Sequence, residues 1–391
     1  MSSSKRGCVS KLKIITLFAF LIMGIVFSII ALMNLKLPDE SFIIDRLSVD
    51  EQHRITEITH LKNSLGNEIW PGWGDHKTPI LVYNEAYAFL IGIENPAPGW
   101  ARVPYTKPEG EEWEQVSEII NYHRQPLPEN GKTPQAFIVK IGDDFVASMT
   151  TKDWTRISLV KMIKEDLPGF LEPIMPYSLF INRFNSDWHI AGILHESFHA
   201  FQAHQSYERV KSAETITALH DSYPWEDIDF REAWLKERQL LAKALQTKQP
   251  EQTKEIVREW LSMRGERQNR LSSKLVNYET EREWLEGLAK YAELKSWKLA
   301  SNQKLYSSLP EMEADEDFNH YQDAESHLKQ ELLQLQSDLQ FSETMFYYSG
   351  WAQAELLDRL YPDWKSRAFE PGTYLDDLLA ETCVPLSCPL L

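Results

Sequence analysis

Two histidines four residues apart with a glutamate between them, His195-Glu196-Ser197-Phe198-His199 in "AGILHESFHAFQAH", carry the clearest chemistry in this chain. On an α-helix, positions i and i+4 lie about 40° apart, so both imidazoles leave one face and can grip a single cation. Glu196 lies about 100° from His195, beside that cation rather than on it. A carboxylate placed there can take a proton from water, and zinc, the metal this motif implies, acidifies water to a pKa of about 7.

Such residues need a helix to hold them. Ile190, Leu194, Phe198 and Phe201 recur at helical spacing as an apolar stripe, and Asn185 and Ser186 in "FNSD" are N-cap candidates, which predicts a helix over 187–205. Gly192 and Ala203 flank the histidines on the other side, where their small size leaves room for metal and substrate. A catalytic zinc takes three protein ligands and keeps one position open. His204 is the nearest third histidine, but it lies about 180° from His195 and about 140° from His199, so it faces away. Gln202 and Gln205 stand where the metzincin pattern needs glycine and histidine.

The better third ligand is distant. In "EREWLEGLAKYAEL", residues 281–294, Glu286 precedes Gly287, and glycine inside a helix, at about 1 kcal/mol against alanine, marks a close approach to the backbone. The His195–His199 motif followed by Glu286-Gly287-Leu288-Ala289-Lys290-Tyr291 resembles the gluzincin branch of the zincin metallopeptidases. The resemblance implies that His195, His199 and Glu286 bind Zn2+ and that Glu196 is the general base. It also implies a β-containing upper part whose edge strand lines the substrate cleft, followed by a helical lower part. It covers the two motif helices closely and the rest of the chain only in coarse layout.

The chain departs from that pattern in two places. The interval between His199 and Glu286 is long, so a charged helical hairpin at about 225–275 is read as an insertion whose charge runs are solvated faces. Lys290 occupies the position where thermolysin-like members carry a histidine-orienting aspartate, which leaves Glu283, one turn before Glu286, to orient a histidine or to serve as the third ligand itself. The family also supplies a tyrosine or histidine donor for the oxyanion. "MFYYSGW" offers Tyr347 and Tyr348, and Tyr291 is a further option; Tyr348 is singled out.

At 391 residues and 43% hydrophobic, the chain can bury a sizeable core, and a formal charge of −17 with no large basic patch excludes a generic nucleic-acid partner. Lys5, Arg6, Lys11 and Lys13 precede an uncharged, almost wholly apolar run at 14–33, long enough to span a bilayer as a signal anchor. Flanking charge then leaves residues 1–13 cytoplasmic and the bulk of the chain exported. On that side Cys383 and Cys388 can pair, while Cys8 stands alone in the reducing compartment.

Beyond the transmembrane segment 14–34, residues 35–68 read as a juxtamembrane linker with a short polar helix ending near Gly66. Residues 69–157 are β-containing, with a hairpin punctuated by Gly142-Asp143-Asp144, and 158–391 are helical. The expected fold class is α+β, mainly helical: a zincin-like domain with a small β-containing N-terminal part, preceded by one transmembrane helix. The expected function is a membrane-anchored zinc metallopeptidase acting on peptides or proteins. The alternatives are a zinc amidase acting on a nonpeptide amide and a noncatalytic zincin-fold binding module.

Overall fold

Helix α1 (Val49–Ile69) starts where the Ser48 hydroxyl accepts the Glu51 N–H, with Asp50 and Glu51 in its first turn. Ile55, Ile58, Leu61, Leu65 and Ile69 share one face and are buried in the main core, against the helices that carry the site. Each contributes about 1.5–3 kcal/mol by burial. The expected short juxtamembrane helix is therefore a core element, and it runs past Gly66 to Ile69. The computed structural model describes residues 18, 21–103, 119–127, 139–338 and 341–383.

Among the described residues six strands follow: β1 (Ile80–Tyr83), β2 (Tyr87–Ile91), β3 (Ala101–Val103), β4 (Tyr122–Pro126), β5 (Val139–Ile141) and β6 (Asp144–Thr150). They form one sheet in the order β3-β4-β2-β1-β6-β5, in which β1 and β6 run parallel and every other pair is antiparallel. Central β1, "ILVY", is buried throughout, as a strand covered on both faces requires. The predicted hairpin is present: Gly142, at φ +64°, turns β5 into β6.

The rest is helical: α2 (Lys152–Asp166), α3 (Tyr177–Ile181), α4 (Ser186–Thr215), α5 (Ile228–Gln246), α6 (Pro250–Gln268), α7 (Ser273–Arg282), α8 (Leu288–Ala300), α9 (Ala324–Gln336), α10 (Thr344–Leu360) and α11 (Leu375–Cys383). A π-helical turn, Glu283–Gly287, joins α7 to α8. The protein is thus mainly helical with a small curled sheet, and helix begins at Lys152 rather than at 158.

Helices α5 and α6 form the expected hairpin, but its charges are not simply solvated. Arg267 is fully buried between Glu237 (2.6 Å) and Glu279 (2.5 Å), and Arg264 is buried on Glu283 at 2.6 Å. Phe230, Trp234, Leu241, Val257 and Trp260 fill the space around them. The hairpin is part of the fold's interior, because its arginines close onto glutamates of α5, α7 and the π-turn.

The N-terminal apolar run lies partly outside the described residues. Its described stretch 21–34 is helical with large apolar side chains exposed, and among the described residues no helix is long and apolar enough to cross a membrane. Cys8 and Cys388 also lie outside the described residues, and with them the predicted cysteine pairing.

Candidate metal centre

Helix α4 begins as its sequence predicts: the Asn185 side chain accepts the Trp188 N–H at 2.9 Å, while Ser186, the first helical residue, is buried and donates to Asp315 at 2.6 Å. The apolar stripe Ile190, Leu194, Phe198 and Phe201 is buried. The helix packs between β6 on one side and α1 and α8 on the other. Gly192 does not make room for metal or substrate. A Cβ at that position would meet the Met149 side chain at 3.0–3.1 Å, so the small residue admits a strand rather than metal or substrate. His204 is exposed, its ring 4.4 Å from that of His76, and takes no part in the centre, as its angle on the helix requires.

The second helix reaches the first through a backbone crossing. A Cβ on Gly287 would overlap the backbone of Gly350 in α10, and a Cβ on Gly350 would overlap Glu283, so the π-turn and α10 meet main chain to main chain. The close approach that Gly287 marked in the sequence is this one. It brings Glu286 to the α4 histidines: Glu286 Oε2 lies 3.5 Å from His195 Nε2 and 3.2 Å from His199 Nε2, and the two Nε2 atoms are 3.1 Å apart. All three side chains are buried, and together they are a group that could hold a metal ion.

Partners around the trio fix how it points. The Gln202 amide donates to the Trp284 and Leu285 carbonyls (3.2 and 3.1 Å), so its oxygen is the end that faces His199 and accepts Nδ1–H at 2.8 Å. Glu293 accepts Nδ1–H of His195 at 3.1 Å and is held in turn by Lys290 at 2.8 Å, which also pairs with Glu331 at 3.1 Å. With both Nδ1 atoms donating, the Nε2 atoms are the ones left to face Glu286. Arg282 takes the other oxygen of Glu286 at 2.8 Å, which leaves Oε2 for the histidines.

Electrostatics follow this layout. Burial opposes charge on His195, yet its bonds to Glu286 and Glu293 lift the imidazole to about 10. Burial would raise Glu293, but Lys290 and His195 hold it at about 2. Glu286 is held well below the usual range against its burial, chiefly by His199. Burial raises Glu196, with the two histidines opposing. Among the described residues no hydrogen bond or ion pair engages the Glu196 carboxylate, which faces a cleft of about 570 Å³ shared with His195, His199, Glu286, Arg282 and Tyr347. Burial, and after it the Glu196 charge, pushes the Tyr83 hydroxyl at the end of β1 up to about 12.

Other sequence candidates are placed elsewhere. Glu283 is buried, bound bidentately by Arg264 (2.6 and 3.1 Å) and by the Ser349 hydroxyl at 2.6 Å; it orients no histidine and is not in the trio. Tyr348 lies outside the cleft, beside Lys290 and Glu331. Its neighbour Tyr347 lines the cleft and stacks on the His195 ring at a centroid distance of 6.0 Å, and its hydroxyl is pushed well up by burial and, after it, by the Glu286 charge. Tyr291 is spent in the core on Asp358 at 2.6 Å. The described lining of the cleft contains no strand residue, unlike the strand-edged cleft of the resemblance.

Sequence reasoning passed over Gln202, Arg282 and Glu293. Gln202 follows His199 by three and Glu293 follows Glu286 by seven, both returning to the same helix face, so periodicity held the signal. No family model, curated protein or solved structure matches the chain.

Proposed function

We propose that this chain is a zinc metallopeptidase of gluzincin-like type that hydrolyses peptide bonds. The observation that carries the reading is the convergence of His195 Nε2, His199 Nε2 and Glu286 Oε2 at mutual distances of 3.1, 3.2 and 3.5 Å. Two ligands on one tetrahedral zinc, each at 2.0–2.2 Å, stand about 3.3 Å apart. Two imidazoles and one carboxylate, each with its remaining polar atom already bonded, suit zinc's preference for nitrogen and oxygen donors with orienting partners.

A bound zinc ion would supply Lewis acidity, polarising the carbonyl and acidifying water. The Glu196 carboxylate, unbonded among the described residues and facing the cleft, takes the proton from the attacking water and delivers it to the leaving amine. The Tyr347 hydroxyl, on the cleft wall beside His195, donates to the carbonyl oxygen as it gains charge. Arg282 keeps Glu286 ionised and turned, and Glu293 and Gln202 keep the two imidazoles in the tautomer that binds metal. The N-terminal run 14–34, preceded by four cationic residues, supports a signal anchor with the metal centre outside the cytoplasm.

Metal analysis of the full chain and its Glu196→Gln variant, with cleavage of a broad peptide library, tests this. Wild type should carry one zinc and cleave; the variant should keep the zinc and lose about 10²–10⁴-fold in rate. A wild type without stoichiometric zinc, or equal cleavage by both, removes the peptidase reading. Loss of peptide cleavage with retained zinc in both would favour a nonpeptide amide or a binding role.

A further inference from the structure

The segment from α2 through α3 exposes side chains that a water-facing surface does not need. Met162 is 55% exposed, Phe170 78%, Leu179 67% and Phe180 37%. Single exposed apolar residues are ordinary, but these come from one stretch whose loop and short helix, "LPGFLEPIMPYSLFI" at 167–181, hold a single charge, Glu172.

This stretch adjoins the end of the N-terminal apolar helix. Asn34 Nδ2 donates to the carbonyls of Pro173 (3.0 Å) and Met175 (2.9 Å), tying the last turn of that helix to the middle of the loop. Just beyond the tie, Leu37, Phe42, Ile157, Val160 and Ile181 line a mainly apolar cleft of about 300 Å³, and Phe42 itself is almost wholly exposed. On the helix, Leu21, Ile22, Ile25, Ile29 and Leu32 are exposed too. The two apolar surfaces are thus one connected region.

We propose that segment 162–180 is a second membrane contact, bedding into the headgroup and upper acyl region of a lipid bilayer beside the point where the N-terminal helix leaves it. The proposal rests on reading residues 14–34 as a membrane insert. The continuity of the loop with that helix, fixed by Asn34, selects lipid over a protein partner as the occupant. Exposed Lys161 and Arg183 sit with exposed Glu165 and Asp166, so apolar insertion rather than net charge drives the contact and neutral lipid suffices. The contact gives the chain a second point of attachment, which sets the orientation of the metal centre relative to the membrane.

Spin labels on the full chain in phosphatidylcholine vesicles test this, with Cys8, Cys383 and Cys388 replaced by serine and single labels introduced by Phe170→Cys, Leu179→Cys, Ile22→Cys and Glu251→Cys. All four positions are exposed, so the labels do not disturb the core. Expected are raised oxygen accessibility and lowered accessibility to an aqueous nickel chelate at 22, 170 and 179, relative to 251. If 22 is lipid-like while 170 and 179 match 251, the loop contact is overturned and the anchor stands. If 22 is aqueous while 170 and 179 are lipid-like, the anchor falls and the loop contact stands. Aqueous behaviour at all positions overturns both, and labels at 170 and 179 that are shielded from both reagents mean a protein partner covers the loop, which also overturns the proposal.

Discussion

His199 and Gln202 are joined at 2.8 Å, Nδ1 to Oε1, and the same glutamine bonds the backbone carbonyls of Trp284 and Leu285. One side chain thereby orients a histidine of α4 and fastens α4 to the turn that carries Glu286. Under the zinc reading, replacing Gln202 with leucine should weaken metal binding by about 10–100-fold, the usual effect of losing an orienting partner. It should also lower stability by about 1–3 kcal/mol, because the Trp284 and Leu285 carbonyls and the His199 Nδ1–H each lose a buried partner. Competition with a chromophoric chelator reads the first and denaturant unfolding the second; unchanged zinc affinity would show that Gln202 serves packing alone.

Adjacent tyrosines give a sharper contrast. Tyr347 lines the cleft and Tyr348 does not. Under the peptidase reading, Tyr347→Phe should lower kcat by about 10²–10³-fold, as for other oxyanion donors, with zinc content intact. Tyr348→Phe should leave kcat within about twofold, since no reacting group lies near it. Equal effects at both positions would deny Tyr347 the donor role.

Two glycines in helical segments should respond oppositely to alanine. At Gly287 the new Cβ would lie 2.7 Å from the Gly350 carbonyl carbon, and neither backbone can yield, so Gly287→Ala should destabilise by about 3 kcal/mol or more and displace Glu286. At Gly265, in α6, nothing lies within 4 Å, so Gly265→Ala should stabilise by about 0.5–1 kcal/mol. Thermal unfolding of both variants decides it, and a tolerated Gly287→Ala would contradict the backbone crossing.

Asp187, buried in the first turn of α4, accepts the N–H groups of Asn319 (2.7 Å) and Tyr321 (2.5 Å). Burial lifts its carboxyl from 3.8 to about 6 against those bonds. The native state therefore holds this proton more tightly than the unfolded chain. The resulting stabilisation is complete below about pH 4 and is lost as pH rises through 6. The shift of about two units corresponds to about 3 kcal/mol. Asp187→Asn removes the titration, so the difference in unfolding free energy, wild type minus variant, should fall by about 3 kcal/mol from pH 4 to pH 7. A difference that ignores pH would place the carboxyl at an ordinary pKa.

Periodicity explains what could be read in advance. The α4 face, the Asn185 cap and the exclusion of His204 follow from positions along one helix, and the close approach at Gly287 from a glycine inside a second; the structure places each accordingly. Tyr347 could not be separated from Tyr348, because which of two adjacent residues faces a cleft depends on how α10 is rotated by its crossing at Gly350. Glu283 misled for a related reason: its phase relative to Glu286 assumes an α-helix, and the π-turn Glu283–Gly287 changes that phase and hands Glu283 to Arg264. The charged hairpin was misjudged because a glutamate that will meet a buried arginine is indistinguishable, in sequence, from one that will meet water.

The same π-turn governs which kinds of change the second site helix can tolerate. A π-turn holds one residue more than the α-helical turn it replaces. Because the turn absorbs its extra residue, the segments on either side stay in phase, whereas a residue deleted from or inserted into the regular α-helix between Leu288 and Glu293 rotates Glu293 by about 100° against Glu286. Glu286 and Glu293 could then no longer both meet the α4 histidines, however well each side chain was retained. From Leu288 to Glu293 the chain is therefore a fixed count, closed to insertion or deletion, while the π-turn before it is the place where the helix takes up a residue without losing phase.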